Sequence, residues 1–334
     1  VTFVAGRRGL GVGLVLLALG AALPFFVYPV FAIDLVCFAL VALAFDLLLG
    51  FTGLLSFGHA MFWGGSGYVA TILISHGVGS FPLVLLGGAL YSGLLAALVG
   101  VFAVKRSGIY FAMITLAIAQ IFYFLAFQLV GLTGGENGTQ IATRGTLFGV
   151  SLENDRVYYY LVLAITALCA TLAVRVVTSP FGQVLGAMRD NETRARSIGY
   201  DTDRFKLAAF VMSGTLAGLA GTLYAVGNRL SGLDGVDWHT SGAIVIMTIL
   251  GGIGTIYGPI LGAAVYESLD YFVSKTPIGD KTNLVMGFVF AVVILVARRG
   301  IVGEILHRMF AAPRLVEDED DPDRLVSDPE PAPV

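Results

Sequence analysis

Charge is scarce in this sequence. Asp, Glu, Lys and Arg make up 13% of its 334 residues, about half the share found in a soluble globular domain. None of the four occurs between Leu47 and Val104, and further uncharged stretches occupy 9–33, 107–135, 157–174, 207–228, 238–266 and 282–297. A bilayer core about 30 Å thick is crossed by about 20 apolar residues in a helix, and several stretches reach that length. A transmembrane β-barrel would instead show short alternating segments, and none of these alternates. Cysteine is nearly absent too. Cys37 and Cys169 stand alone in separate apolar stretches and read as packing residues. No G-x-x-x-x-G-K-S/T segment occurs, so the chain lacks the phosphate-cradling loop of an ATPase. The four histidines, His59, His76, His239 and His307, fall in four regions without metal-ligand spacing. The glycines of "GGIGTIYG" at 251–258 do not form the G-x-G-x-x-G pattern of a dinucleotide site. These absences predict no catalytic, metal-binding or cofactor-binding residue in the chain, and a protein that is not an enzyme.

What is present is an all-α, polytopic membrane pattern. Breaking the apolar blocks at Gly, Pro and charge gives about ten segments: 10–29, 31–50, 58–75, 82–104, 108–131, 157–178, 205–227, 240–256, 259–274 and 282–298. The first follows Arg7 and Arg8 but has no small-residue cleavage site behind it, so it reads as a retained helix. With an even number of spans, Arg7, Arg8, Lys105, Arg106, the bases of 175–206, and Arg298, Arg299 and Arg308 all fall on one side, the cytoplasmic side by the positive-inside rule. Both termini are then cytoplasmic: residues 1–9 at the start, the permeation domain at 10–298, and 299–334 at the end. Eight acids and one arginine crowd into 317–334, "EDEDDPDRLVSDPEPAPV", a tail expected to be disordered. Without it the chain is basic.

Polar residues inside apolar segments are the first place to look for a solute path. In "FTGLLSFGHAMFWGG", Gly50, Gly53 and Gly58 permit a helix break, and Thr52, Ser56 and His59 can satisfy the main-chain groups it frees. A second glycine-rich break, carrying Gly252 and Gly254, lies in the other half of the chain. Broken helices of this kind often build transporter pathways, so Asp46, Thr52, Ser56, His59, Gly252 and Gly254 form the candidate path. For His59, structural support of the break and a direct place on the path both remain open. Asp46 reads either as a helix-end hydrogen-bonding residue or as a proton carrier. Asp34, Glu267 and Asp270 fall near the outer surface.

The segment 179–204 is the richest soluble-facing stretch. Ser179 followed by Pro180 is a helix start, and Phe181, Val184, Leu185 and Met188 form an apolar stripe. Asp190 or Asn191 can cap a second short helix that Gly199 ends. The expected unit is two short helices at the membrane surface.

The sequence "SPFGQVLGAMRDNETRARSIGYDTDRFKLAAFVMSGTLAGLAGTLYA" resembles the cytoplasmic loop and following helix of permease subunits, of the M-subunit type, in branched-chain amino acid ABC importers. "DLLLGFTGLLSFGHAMFWGGSGYVATIL", "GIYFAMITLAIAQIFYFLAF" and "ILGGIGTIYGPILGA" resemble the same family in the same order, covering about residues 34–297. The resemblance implies a permease subunit whose 179–204 segment docks on a separate ATPase. Phe181, Gly186, Ala187, Arg189, Glu192 and Gly199 are the residues that carry over to that docking region. The family's usual Glu-Ala-Ala opening is replaced here by Gly186, Ala187 and Met188. It further implies a second, H-type permease, two ATP-binding cassette subunits that hold ATP and Mg, and an extracytoplasmic solute-binding protein. The setting is the inner membrane of a prokaryote, surrounded by lipid and without nucleic acid. The alternative is a proton-coupled secondary transporter of a small polar solute, which requires a titrating acid inside the membrane.

Overall fold

The structure, a computed structural model, describes residues 7–276, 282–296 and 300. Residues 1–6, the bases at 298, 299 and 308, and the acidic tail at 317–334 lie outside the described residues. Ten helices occupy the ten apolar segments: α1 (Arg7–Ala22), α2 (Pro29–Thr52), α3 (His59–Ser75), α4 (Phe81–Ala103), α5 (Ile109–Gln128), α7 (Asp155–Thr178), α10 (Thr202–Asn228), α11 (Trp238–Gly251), α12 (Tyr257–Ser274) and α13 (Thr282–Val296). The one-turn α6 (Val130–Thr133) follows α5, and α8 (Pro180–Asp190) and α9 (Glu192–Ser197) fill the segment before α10. Five helices, α2, α4, α5, α7 and α10, are long and apolar enough to cross a membrane. The others are shorter or less apolar, so among the described residues ten helices fill the apolar segments and five of them have the dimensions of full crossings.

Local chemistry sets the helix ends. Pro29 and Pro82 sit in the first turns of α2 and α4, where no hydrogen bond is lost. Asn154, Ser179, Asn191, Asp201 and Asp237 each accept a main-chain N–H at the start of the helix that follows. Asp201 accepts from Arg204 N at 3.3 Å, which starts α10 at Thr202 and shortens the expected 179–204 loop at its C-terminal end. The second break lies within "GGIGTIYG" as expected, but the next helix begins two residues earlier than the expected 259. The break runs from Gly252 to Ile256, and α12 restarts at Tyr257 because Thr255 Oγ1 accepts from Gly258 N (3.1 Å), ahead of Pro259.

Around α10 the chain is inside out relative to a soluble protein. α10 packs against α2, α3 and α4, and α2 is additionally covered by α7, α11 and α12. In α2, 83% of the most apolar window is buried, against 28% in α5 and in α7. On α4, Leu83, Leu86, Leu90, Leu94 and Leu98 form one exposed stripe at helical spacing. Such a stripe fits hydrocarbon and not water. The buried faces carry small residues. Ser66 Oγ donates to Gly218 O (2.7 Å) and to Trp63 O (2.9 Å), joining α3 to α10. A Cβ at Gly221 would strike the Trp63 main chain, one at Gly218 the Ser92 side chain, and one at Gly214 Ala96. The small-xxx-small pairs Gly214/Gly218 and Ala217/Gly221 therefore serve helix approach within this chain.

Two small sheets cap the end of α10 away from α8 and α9. Thr139–Gln140 (β1) pairs antiparallel with Leu230–Ser231 (β4), and Thr146–Leu147 (β2) pairs with Val150–Ser151 (β3). The loop that carries them is pinned by Arg144, which is buried, pairs with Asp155 at 2.6 Å, donates to Gly227 O and stands over the Tyr158 ring.

Because the Trp63 main chain cannot yield, Gly221→Ala is expected to destabilise the protein by about 1–3 kcal/mol. Gly242→Ala, whose Cβ meets nothing within 4 Å, is expected to leave stability unchanged. Thermal unfolding in detergent compares the two.

Candidate translocation and coupling site

The first helix break is closed by hydroxyl groups. α2 ends at Thr52, with Gly53 in the left-handed region at φ 74°. Thr52 Oγ1 donates to Leu48 O (2.5 Å) and accepts from Leu54 N (3.3 Å). Gly58 N donates to Ser56 Oγ at 3.2 Å. Two more amides are met from distant helices: Phe57 N by Thr115 Oγ1 of α5 (3.1 Å) and Ala60 N by Ser241 Oγ of α11 (2.9 Å). Irregular backbone at membrane depth requires such partners, because no solvent is there to supply them.

His59, at the start of α3, is fully buried and faces α10. Its Nε2 lies 2.9 Å from Ser213 Oγ, and Ser213 Oγ donates to Ala44 O at 2.5 Å. With that hydroxyl proton committed, Ser213 accepts, so Nε2 carries the imidazole hydrogen. Phe45 and Phe62 meet the ring edge-to-face at 4.8 and 5.8 Å. Among the described residues Nδ1 has no hydrogen-bond partner. The ring bridges α2, α3 and α10.

Asp46 holds the second break. Its Oδ1 accepts from Gly254 N (2.7 Å) and its Oδ2 from Ile256 N (3.2 Å). Gly252, Gly254 and Ile256 all have positive φ, at 118°, 76° and 59°. For Ile256 this costs about 1–3 kcal/mol and persists only where surrounding bonds impose it. Thr255 Oγ1 adds a donation to Gly252 O at 2.7 Å. Gly50 lies against both partners, since a Cβ there would strike the Asp46 carboxylate and Gly254 N. Arg189, on α8, reaches into this junction. Its Nη1 donates to Gly50 O and would stand 3.1 Å from a Cβ at Gly254. Asp46, Gly50, Gly254 and Arg189 thus form one cluster where both breaks and the surface helices meet.

The α8–α9 segment is bound firmly to α10. Phe181 stacks on Phe205 at 5.4 Å, with Tyr200 against the same ring at 5.9 Å. Leu185 and Met188 are buried. Glu192 Oε1 pairs with Lys206 Nζ at 2.6 Å and with Arg196 at 3.3 Å, and Lys206 is itself buried. Gly186 is half-buried, whereas Ala187, Arg194 and Gly199 are exposed. Ile198 is 69% exposed, an unusual position for an isoleucine on a polar surface loop. Among the described residues, no three His, Cys, Asp or Glu side chains gather as a metal ion would need.

Residues 30–297 match the family described as branched-chain amino acid transport system / permease component. The chain belongs to that family. It is 28% identical over 250 residues to the high-affinity branched-chain amino acid transport system permease protein LivM of Salmonella typhimurium, covering 68% of this chain and 59% of that one. The probable LivM of Methanocaldococcus jannaschii is 29% identical over 209 residues, 59% of each chain. An autoinducer 2 import system permease protein, LsrC of Yersinia enterocolitica, is 34% identical over 113 residues, 32% of this chain and 31% of that one. The chain spans about three fifths of the length of the LivM proteins it matches. No solved structure matches it.

In this chain the residues singled out from sequence fall into separate structural groups. Asp46 and Gly254 join Arg189, although the first two were assigned to the path and the third to an ATPase contact. Thr52 and Ser56 close their own break, and His59 sits apart with Ser213. Phe181 and Glu192, assigned to the ATPase-docking region, are turned toward α10, and Ala187 and Gly199 lie on the outer face. Sequence reading missed Thr115, Ser213 and Ser241, lone hydroxyls in helical stretches with no local signal of a distant partner. It also missed the left-handed Ile256, which a β-branched residue type does not advertise.

His59→Gln, which can still donate to Ser213, is expected to preserve assembly and uptake. His59→Ala, which opens a void beside Phe45 and Phe62, should cost about 2–4 kcal/mol in thermal unfolding. A Gln variant that assembles normally but does not transport would instead place the ring on the solute path.

Proposed function

We propose that this chain is the permease subunit of an ATP-driven ABC importer of branched-chain or related amino acids, with the solute delivered by an external binding protein. Ten crossings with both termini cytoplasmic, in the inner membrane of a prokaryote, fit the loop charges. The partners are a second, H-type permease and two ATP-binding cassette subunits, which hold ATP and Mg. The chain itself performs no chemistry.

The observation that supports this most directly is the Arg189 contact. A motor outside the membrane needs a stiff element on which to act, and α8–α9 is fixed to α10 by Phe181–Phe205 and Glu192–Lys206. Its exposed face, with Ala187, Arg194, Ile198 and Gly199, is free for an ATPase groove. A rigid-body displacement of that unit is delivered by Arg189 to Gly50 O, beside the hold of Asp46 on the second break. Both candidate gates then move with one lever. Leucine, isoleucine and valine are the solutes suggested by the LivM relatives, while the LsrC relative keeps autoinducer 2 as the other solute to be tested.

Reconstitution with the partner subunits tests the reading: uptake should require ATP and stop with vanadate. Uptake driven by a proton gradient without ATP would overturn it. Arg189→Ala is expected to lower uptake by about tenfold or more while ATP hydrolysis continues, the signature of an uncoupled lever, with Arg189→Lys between. The size follows from losing a charge-assisted bond of about 1.5–3 kcal/mol. The proton-coupled alternative needs Asp46 to titrate. Asp46→Asn, which keeps one acceptor for Gly254 N, should retain uptake at some cost in stability, whereas a proton carrier would lose transport altogether.

A further inference from the structure

At the end of α10 opposite the coupling segment, α2, α3, α10 and the 230–240 stretch enclose a cavity of about 280 Å³. That is just below the usual range of about 300–1,000 Å³ for small-molecule sites, and large enough for a solute the size of one amino acid. Its wall toward α2 is aromatic. Phe38 stacks on Trp63 at 4.9 Å, and Trp63 meets Tyr224 at 5.0 Å. Gly64, Gly67 and Gly221 also line it, at places where α3 packs closely against α10 and the 230–240 stretch.

The cavity sets two acceptors, Asn228 and Asp234, beside the hydroxyl groups of Ser231, Thr240 and Tyr224, which can donate as well as accept. Asn228 Nδ2 donates to Asp34 Oδ1 at 2.6 Å and to Tyr224 O at 3.3 Å. Both of those partners can only accept, which fixes the amide orientation and uses both of its hydrogens. The one group that Asn228 has left for a guest is its carbonyl oxygen. Asp234 stands at the rim, and its carboxylate bonds no described residue. Among the described residues no basic side chain lines the cavity. Arg229, next to Asn228 in sequence, is turned away to Glu153 at 2.7 Å and toward Ala142 O.

A chamber with carbonyl and carboxylate acceptors, an aromatic wall and no cation suits a compact group that only donates and carries positive charge. An ammonium has three donors and no acceptor, and aromatic faces attract it further. We propose that this cavity is a solute-binding site within the permease that receives a small primary-amine solute. The ammonium rests on Asn228 Oδ1 and Asp234, and the aliphatic part lies along Trp63 and Tyr224. The proposal rests on the amino-acid reading above and adds where in the chain the solute is held and which of its groups is recognised. A des-amino analogue, identical in its apolar part and its carboxylate, is then rejected because it brings no donor to Asn228 Oδ1 and Asp234 and leaves them unpaired.

Trp63 and Trp238 are the only tryptophans of this chain, so in the purified full-length Trp238→Phe chain, in detergent and without its partners, Trp63 is the sole tryptophan and reports the cavity. L-leucine is expected to change Trp63 emission saturably, and 4-methylpentanoate, its des-amino counterpart, to leave it unchanged. Asp234→Asn, at an exposed position that packing does not depend on, should raise the half-saturating leucine concentration by about tenfold. Silent emission, an equal response to 4-methylpentanoate, or an unaltered Asp234→Asn titration each overturns the site. ATP-dependent leucine uptake by the same variant, reconstituted with its partners, is read separately. If uptake persists while Trp63 is silent, the cavity proposal fails and the importer reading stands. If uptake is absent, the importer reading fails whatever Trp63 does.

Discussion

A helix broken inside a membrane frees main-chain amides that only the protein can satisfy, and here the Asp46 carboxylate meets two of them. By accepting from Gly254 and Ile256 it ties α2 to the turn between α11 and α12, 208 and 210 residues further along the chain. The hydroxyls of Thr115 and Ser241 do the same for the first break from α5 and α11. Each repair is therefore also a long-range tether. The breaks fix where helices stand relative to one another, and the coupling segment is anchored at the junction they create.

Around that polar junction the packing follows from having hydrocarbon in place of water. Helix association in lipid has little hydrophobic drive and relies on close approach and on hydrogen bonds. The glycines of α10 bring it against the Trp63 main chain, Ser92 and Ala96, while Ser66 and Ser213 bond across to neighbouring helices. The leucines of α4 point the other way, outward. Buried small and hydroxylated residues with exposed leucines are what a membrane interior selects.

At the other extreme, α8 and α9 are stabilised as a soluble element would be, by caps, a stacked aromatic pair and an ion pair. Breaking a pair as buried as Lys206 with Glu192 would leave a charge uncompensated, at a cost of about 3–5 kcal/mol. The pair makes the surface helices one body with α10. In the importer proposed above, a lever must be stiff along its length and joined at its tip, and the Arg189 bond to Gly50 O is the proposed joint.

The ten helical segments, the two breaks, the two surface helices and the family were legible in the sequence, because hydropathy, glycine, proline and capping residues act over a few neighbours. Thr52 and Ser56 were legible for the same reason, since each serves an amide two residues away. What Asp46 and Arg189 do was not. Asp46 pairs with amides that no side chain marks, and Arg189 looks like any base on an amphipathic surface helix until the chain brings Gly50 beneath it. The inward turn of Phe181 and Glu192, and the orientation of Asn228 over its cavity, depend likewise on partners in other helices. Only the tertiary structure could decide these, because a hydrogen bond is set by which donors and acceptors meet in space, and sequence separation carries no information about that meeting.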